Sequence, residues 1–213
     1  MSIKAFVFDC GGVILRDGDL GPYRKWEDRL GLAEGELHQR LWGGQAWADA
    51  ELGRITEKEF WHCAAPEVGL SDHDEIEMMA SEIWTTWRVE AEVIELVDAL
   101  RQSYRVAMLS NATTALESKL TKVYGIADRF DPLLNSARLG MAKPDTRIFE
   151  HLCATLSLEP GEIVFIDDRA ENIAAAASAG IHVIWFVSPQ ELAKQLGIYA
   201  RDTIRIGQPE PTR

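Results

Sequence analysis

A chain of 213 residues that is 46% hydrophobic holds enough apolar material for one large core, or one core carrying an inserted unit. A formal net charge of -12 and a pI near 4.9 argue against a nucleic-acid or anionic-membrane partner. No apolar run approaches the ~20 residues of a membrane span, and Cys10, Cys63 and Cys153 stand far apart without a CxxC, so a reducing, cytoplasmic setting with neither disulfides nor zinc is expected.

Met-Ser-Ile-Lys runs straight into Ala5–Phe8, with no signal-peptide pattern. Ala5–Phe8 is a short apolar run with aromatic and β-branched members, which predicts a buried strand. Asp9 follows directly. Gly11 and Gly12 then allow a sharp turn and a close backbone approach to a ligand. A carboxylate at the C-terminal end of a buried parallel strand lies where open α/β sheets bind ligands. It can serve as nucleophile, metal ligand or both, or it can simply cap a turn.

Ile14–Gly21 reads as a turn or small flap. From Pro22 to about Trp87 the patterning is helical only. Trp26 and Leu30, then Leu37 and Leu41, recur at i, i+4. Thr56-x-x-Glu59 is a capping box, and Ser71-x-x-Asp74 opens a helix carrying Ile76, Met79, Ile83 and Trp87. This block holds six of the seven tryptophans, and Arg16–Glu90 carries 17 Asp/Glu against 8 Lys/Arg. Such a composition shift predicts a helical insert, or cap, on a different main unit. The indoles are expected mainly in the cap core. Trp47 or Trp42, beside the Gly43-Gly44 pair, is expected to face the substrate.

From Glu92 onward strands and helices alternate. Helices are expected at Val93–Leu100, Thr113–Tyr124, Thr146–Leu156, Ala170–Ala179 and after Ser188. Strands are expected at Val106–Leu109, Phe130–Asn135, Ile163–Ile166 and Ile181–Phe186. Alternation of this kind implies a Rossmann-like α/β core, a parallel sheet with helices on both faces. The core is expected to comprise residues 1–17 and 88–207, with a small all-helical cap at 18–87 and a loose tail at 208–213.

Four strand ends or following loops carry polar groups: Asp9, Ser110-Asn111, Lys143 and Asp167-Asp168. In a parallel sheet they gather at one edge. Three carboxylates there repel one another, and a hard divalent cation resolves the conflict. The cation and Lys143 then make a positive patch for a phosphate.

Phe8-Asp9-Cys10-Gly11-Gly12-Val13, Leu109-Ser110-Asn111, Lys143-Pro144-Asp145 and Phe165-Ile166-Asp167-Asp168 resemble, in order, the four motifs of the haloacid dehalogenase-like hydrolase superfamily. The resemblance implies an enzyme, a Mg²⁺-dependent hydrolase of a small phosphomonoester. Asp9 would be phosphorylated, and Asp9, the Gly11 carbonyl, Asp167 and Asp168 would hold the metal. Gly11, Gly12, Ser110, Asn111 and Lys143 would bind the phosphate, with Asn172 orienting the site. Most such phosphatases carry a second Asp two residues after the nucleophile, and here that position is Gly11. The Asp-x-Gly-[Gly/Asn]-Val form resembles a subgroup that includes α-glucose-1-phosphatase-like enzymes. That favours a leaving group needing little protonation, such as a sugar 1-phosphate, or a proton supplied by another group. The alternatives are a metal-independent 2-haloacid dehalogenase and a non-catalytic phosphometabolite-binding protein. A monomer or homodimer is expected.

Overall fold

The computed structural model describes residues 2–200. The first apolar run forms β1 (Ala5–Phe8), buried at every position. A strand with no wet face has to sit mid-sheet under cover on both sides. It is followed by β2 (Leu15–Asp17), then the helices α1 (Gly21–Leu30), α2 (Glu36–Gly43), α3 (Gln45–Glu51), α4 (Glu57–Ala64) and α5 (His73–Trp84), then β3 (Trp87–Val89). The chain continues through α6 (Ala91–Leu100), β4 (Arg105–Ser110), α7 (Leu116–Lys122), β5 (Leu133–Asn135), α8 (Ser136–Leu139) and α9 (Thr146–Leu156). It ends in β6 (Ile163–Asp167), α10 (Ala170–Ser178), β7 (His182–Trp185) and α11 (Pro189–Tyr199).

The main sheet runs β5-β4-β1-β6-β7, with every pairing parallel. Strand alternation divides its residues cleanly. Phe6, Phe8, Val106, Met108, Val164 and Ile166 pack with residues of α6 and α11 on one face. Ala5, Val7, Ala107, Leu109 and Phe165 pack with Ile148, Phe149 and Leu152 of α9 on the other. Each large side chain so buried contributes about 1.5–3 kcal/mol. The register sets Phe8 beside Met108 and Ile166, so the strands end level with one another.

The helices α1 to α5 build a separate apolar cluster around Trp26, Leu37, Leu41, Phe60, Met79 and Ile83. α4 starts at the Thr56–Glu59 capping box that the sequence predicts. α5 is capped one residue later than expected, by Asp72, whose side chain accepts from the Glu75 N–H. It also stops before Trp87. The Thr85 and Thr86 hydroxyls bond back to the carbonyls of Glu82 and Ile83 at 2.6 and 2.8 Å, closing the helix. Trp87 therefore opens β3 and packs against the sheet cluster, not in the helical core.

β3 pairs antiparallel with β2, setting Leu15 opposite Val89 and Asp17 opposite Trp87. This ribbon joins the helical unit to the sheet, and it occupies part of Ile14–Gly21, where a turn or small flap is expected. α7 is shorter than expected at both ends, and the Thr113 hydroxyl, expected in its first turn, instead donates to Glu57 at 2.7 Å. The three cysteines are unpaired. No helix among the described residues is long and apolar enough to cross a membrane. The expected tail at 208–213, and the core beyond residue 200, lie outside the described residues.

Candidate active site

Because the strands end level, Asp9, Ser110 and Asp167 emerge at one edge of the sheet. Lys143, from the loop between α8 and α9, reaches among them with its side chain only 1% exposed. Its Nζ donates to Asp9 Oδ1 and Asp167 Oδ2, each at 2.7 Å, and to the Leu109 carbonyl at 3.0 Å. One ammonium thus uses all three of its donors to tie three strand ends together.

Asp167 is saturated. Besides Lys143 it accepts two bonds from Asn172 Nδ2 at 3.0 Å and one from the Arg169 N–H at 2.8 Å. Asn172 sits in the first turn of α10, so the helix start fixes the carboxylate that fixes Lys143. Asp9 and Asp168 are less well served. Burial pushes the Asp9 carboxyl up to about 7; Lys143 opposes the rise, and Asp167 and Asp168 add to it. Burial, then Asp167, raises Asp168 as well. For Lys143, burial pulls down but the two carboxylates outweigh it, so it is held above the usual range. The cluster is one ammonium among three carboxylates, a deficit of positive charge.

Gly12 adopts φ +82°, and a Cβ there would stand 2.1 Å from Asp168 Oδ2. Only glycine allows both the turn and that approach. Its N–H donates to the Leu15 carbonyl at 2.8 Å. Asn111 is likewise committed. Its Nδ2 donates to the Lys143 carbonyl at 2.8 Å and to Glu51 at 3.2 Å, while its Oδ1 accepts from the Lys143 N–H at 2.9 Å. The amide side chain holds the Lys143 loop in place. Ser110 is 2% exposed and lines the cavity. Its hydroxyl makes only a weak 3.5 Å contact with the Asn111 carbonyl, leaving its donor free for an incoming oxygen.

Asp9, Asp167 and Asp168 can bring one oxygen each within 4.8 Å of the others. Asp168 Oδ1 is buried with no hydrogen-bond partner. An orphaned carboxylate oxygen in an all-oxygen donor set, beside a glycine whose Cβ would fill the space, suits a hard cation such as Mg²⁺. The fit is met by this chain's own residues.

A cavity of about 730 Å³ opens onto Asp9, and Trp42, Trp47, Trp84 and Trp87 form much of its wall. Trp42 and Trp47 meet edge to face, 5.0 Å between ring centres. Gly11 lies beneath the Trp87 ring, which a Cβ would approach to 3.8 Å, an ordinary contact.

Two carboxylates of the helical unit reach the sheet edge, and sequence reasoning did not find them. Glu51 accepts from Asn111, and burial raises its carboxyl. Glu57 accepts from Thr113 and pairs with Lys119 at 2.6 Å. Glu57 follows the capping-box threonine and reads as an ordinary first-turn acid, so no local signal marks its long-range role. Asp145 caps α9, and the Arg169 guanidinium pairs with Glu171. Cys10 is buried in the sheet cluster, where burial pushes its thiol up. His62, His73 and Glu77 also meet, but they do not line the cavity.

Residues 3–180 match the family described as haloacid dehalogenase-like hydrolase. The chain belongs to that family. It is a hydrolase with the family's α/β fold. Sesquiterpene phosphatase astK of Aspergillus oryzae is 26% identical over 181 residues, covering 84% of this chain and 88% of that protein. (S)-2-haloacid dehalogenase 1 of a Pseudomonas species is 23% identical over 194 residues, covering 85% and 83%. Three other curated relatives are longer, and the matched stretch spans 20%, 40% and 36% of their lengths. Among solved structures, HAD family enzyme BT-2542 of Bacteroides thetaiotaomicron superposes with a TM-score of 0.70 at 24% identity. The match covers 86% of this chain and 93% of that one.

Proposed function

We propose that this hydrolase is a Mg²⁺-dependent phosphomonoesterase that works through Asp9. The observation that carries the reading is the buried Lys143 bridge between Asp9 and Asp167, with the unpartnered Asp168 oxygen beside Gly12. Asp9, Asp168 and the Gly11 carbonyl would hold the metal, with Asp167 adjoining it through the Lys143 network. When bound, Mg²⁺ supplies positive charge that offsets repulsion between carboxylate and phosphate and lowers the raised pKa of Asp9. BT-2542 is described in complex with magnesium and inorganic phosphate, and astK is named a phosphatase; both support the reading.

Lys143 holds Asp9 Oδ1, leaving the other carboxylate oxygen to attack phosphorus. The new O–P bond forms as the ester oxygen departs with its electron pair. Water then attacks phosphorus, the Asp9–phosphorus bond breaks, and inorganic phosphate leaves with Asp9 restored. Ser110 donates to a phosphoryl oxygen, and Lys143 keeps the nucleophile anionic and aimed. The helical unit, residues 18–87, acts as a cap that shields the reaction from bulk water. The substrate is a small phosphorylated metabolite, sugar phosphates included, met in the cytoplasm.

A dehalogenase would need a cation to receive its substrate's carboxylate, and the three clustered acids disfavour that use of this site. Phosphate release from p-nitrophenyl phosphate and halide release from 2-chloropropionate, each with Mg²⁺ and with chelator, test the reading. Phosphate release that chelator abolishes is expected. Halide release indifferent to chelator would overturn it.

A further inference from the structure

The cavity is far larger than a phosphoryl group requires, and its 730 Å³ falls in the range that encloses a drug-sized ligand. Trp42, Trp47, Trp84, Trp87 and Tyr124 are among its lining residues. Every lysine and arginine lining it, among the described residues, already has an acidic partner. Arg16 pairs with Glu90 at 3.3 Å, Lys119 with Glu57 at 2.6 Å, Arg169 with Glu171 at 2.6 Å, and Lys143 with Asp9 and Asp167. Lys119 also lies 2.9 Å from the centre of the Trp84 ring, spending its charge on that π-face. A second anionic group on the substrate would have to compete with an acid of this chain for any of these cations. Gly11, beneath the Trp87 ring, offers no acid, so an alkoxide would have to leave without a side-chain proton from that position.

We infer that the substrate is the phosphate monoester of an uncharged, ring-bearing phenol. The inference rests on the phosphomonoesterase reading and names its substrate class. Indoles pack on aryl rings offset-stacked or edge to face at centroid separations of about 4.5–7 Å; with Lys119 on the Trp84 face and Phe60 stacked on Trp42, Trp47 and Trp87 are the indoles that carry this contact. A phenol ionises near pH 10, as tyrosine does, so its oxygen leaves as an anion far more readily than an alcohol's. Aromatic wall, paired cations and missing acid all select the same leaving group.

Binding and turnover test the two halves separately. Calorimetry on the Mg²⁺-loaded protein would compare 1-naphthylmethylphosphonate, cyclohexylmethylphosphonate and phosphonoacetate, which share the phosphonate and cannot be hydrolysed. The naphthyl compound is expected to bind at least tenfold more tightly than either. Equal or tighter binding of phosphonoacetate or of the cyclohexyl compound overturns the aryl class. In parallel, kcat/KM would be measured for ring-substituted phenyl phosphates, for 1-naphthyl phosphate and for glucose 1-phosphate. A steep rise with the acidity of the phenol, and a naphthyl ester at least a hundredfold better than the sugar ester, are expected. A flat dependence shows that a proton is supplied and overturns the leaving-group argument. Should no ester release phosphate while the naphthylmethylphosphonate preference holds, the phosphomonoesterase reading fails and the aryl recognition stands.

Discussion

At the scale of single residues the site turns on Lys143. Its ammonium has two buried carboxylates for partners, and removing it leaves Asp9 without its cation and Asp167 with only the neutral donors of Asn172 and Arg169. Breaking a buried pair in this way costs about 3–5 kcal/mol. Lys143→Met should lower the free energy of urea unfolding by about that amount and leave no measurable phosphate release; a variant as stable as the parent would show that the bridge is not the site's keystone. Gly12 makes a separate prediction. Its φ of +82° and the 2.1 Å approach of Asp168 mean that Gly12→Ala must push the Asp168 carboxylate aside. The variant should need at least tenfold more Mg²⁺ for half-maximal activity, read by metal titration. An unchanged Mg²⁺ requirement would remove Asp168 from the metal set. Asp9, Lys143, Asp167 and Asp168 could all be singled out in the sequence because each follows a strand or sits in a loop at one sheet edge. The hydrogen bonds that hold the Asn111 side chain to the Lys143 loop could not, because an amide's partners depend on a loop conformation that sequence pattern does not encode.

At the scale of elements, helices and strands with a strong apolar period were legible, and α9 spans the residues its pattern predicts. What stayed hidden forms only through distant pairing. β2 and β3 have three residues each, too short for a period, and exist because they pair across some seventy positions of chain. The dock between α4 and α7 is of the same kind. There Glu57 bridges Thr113 and Lys119, and burial, partly offset by Glu57, holds the Lys119 ammonium down to about 8 against its ordinary 10.5. Below pH 8 the group is protonated in both folded and unfolded chains. Between pH 8 and 10.5 the folded chain has released a proton that the unfolded chain retains, so stability rises with pH across that window. The difference in unfolding free energy between the parent and Lys119→Met should therefore shift in favour of the parent from pH 8 to 10, by at most about 1.4 kcal/mol per pH unit. Denaturant melts over that range check it. A constant difference would mean that Lys119 keeps its proton in the folded chain.

At the scale of the whole molecule, a parallel sheet collects reactive groups at its carboxyl edge while an acidic helical unit with its own apolar cluster sends Glu51 and Glu57 to that edge. The division of labour was visible in composition, since Arg16–Glu90 carries most of the net negative charge and nearly all the tryptophan. The way the two parts meet was not, because Glu51, Glu57 and Trp87 look locally like helix-face residues. On the function proposed above, both parts would serve one chemical event, transfer of a phosphoryl group to Asp9. The most direct measurement is to mix the Mg²⁺-loaded protein with excess p-nitrophenyl phosphate, quench in acid within milliseconds, and locate any added phosphoryl group by peptide mass spectrometry. One phosphoryl group on the peptide containing Asp9, absent from Asp9→Asn and from the chelated protein, is the expected result. Phosphate released at the parent rate by Asp9→Asn, or a phosphoryl group on any other residue, would contradict the account.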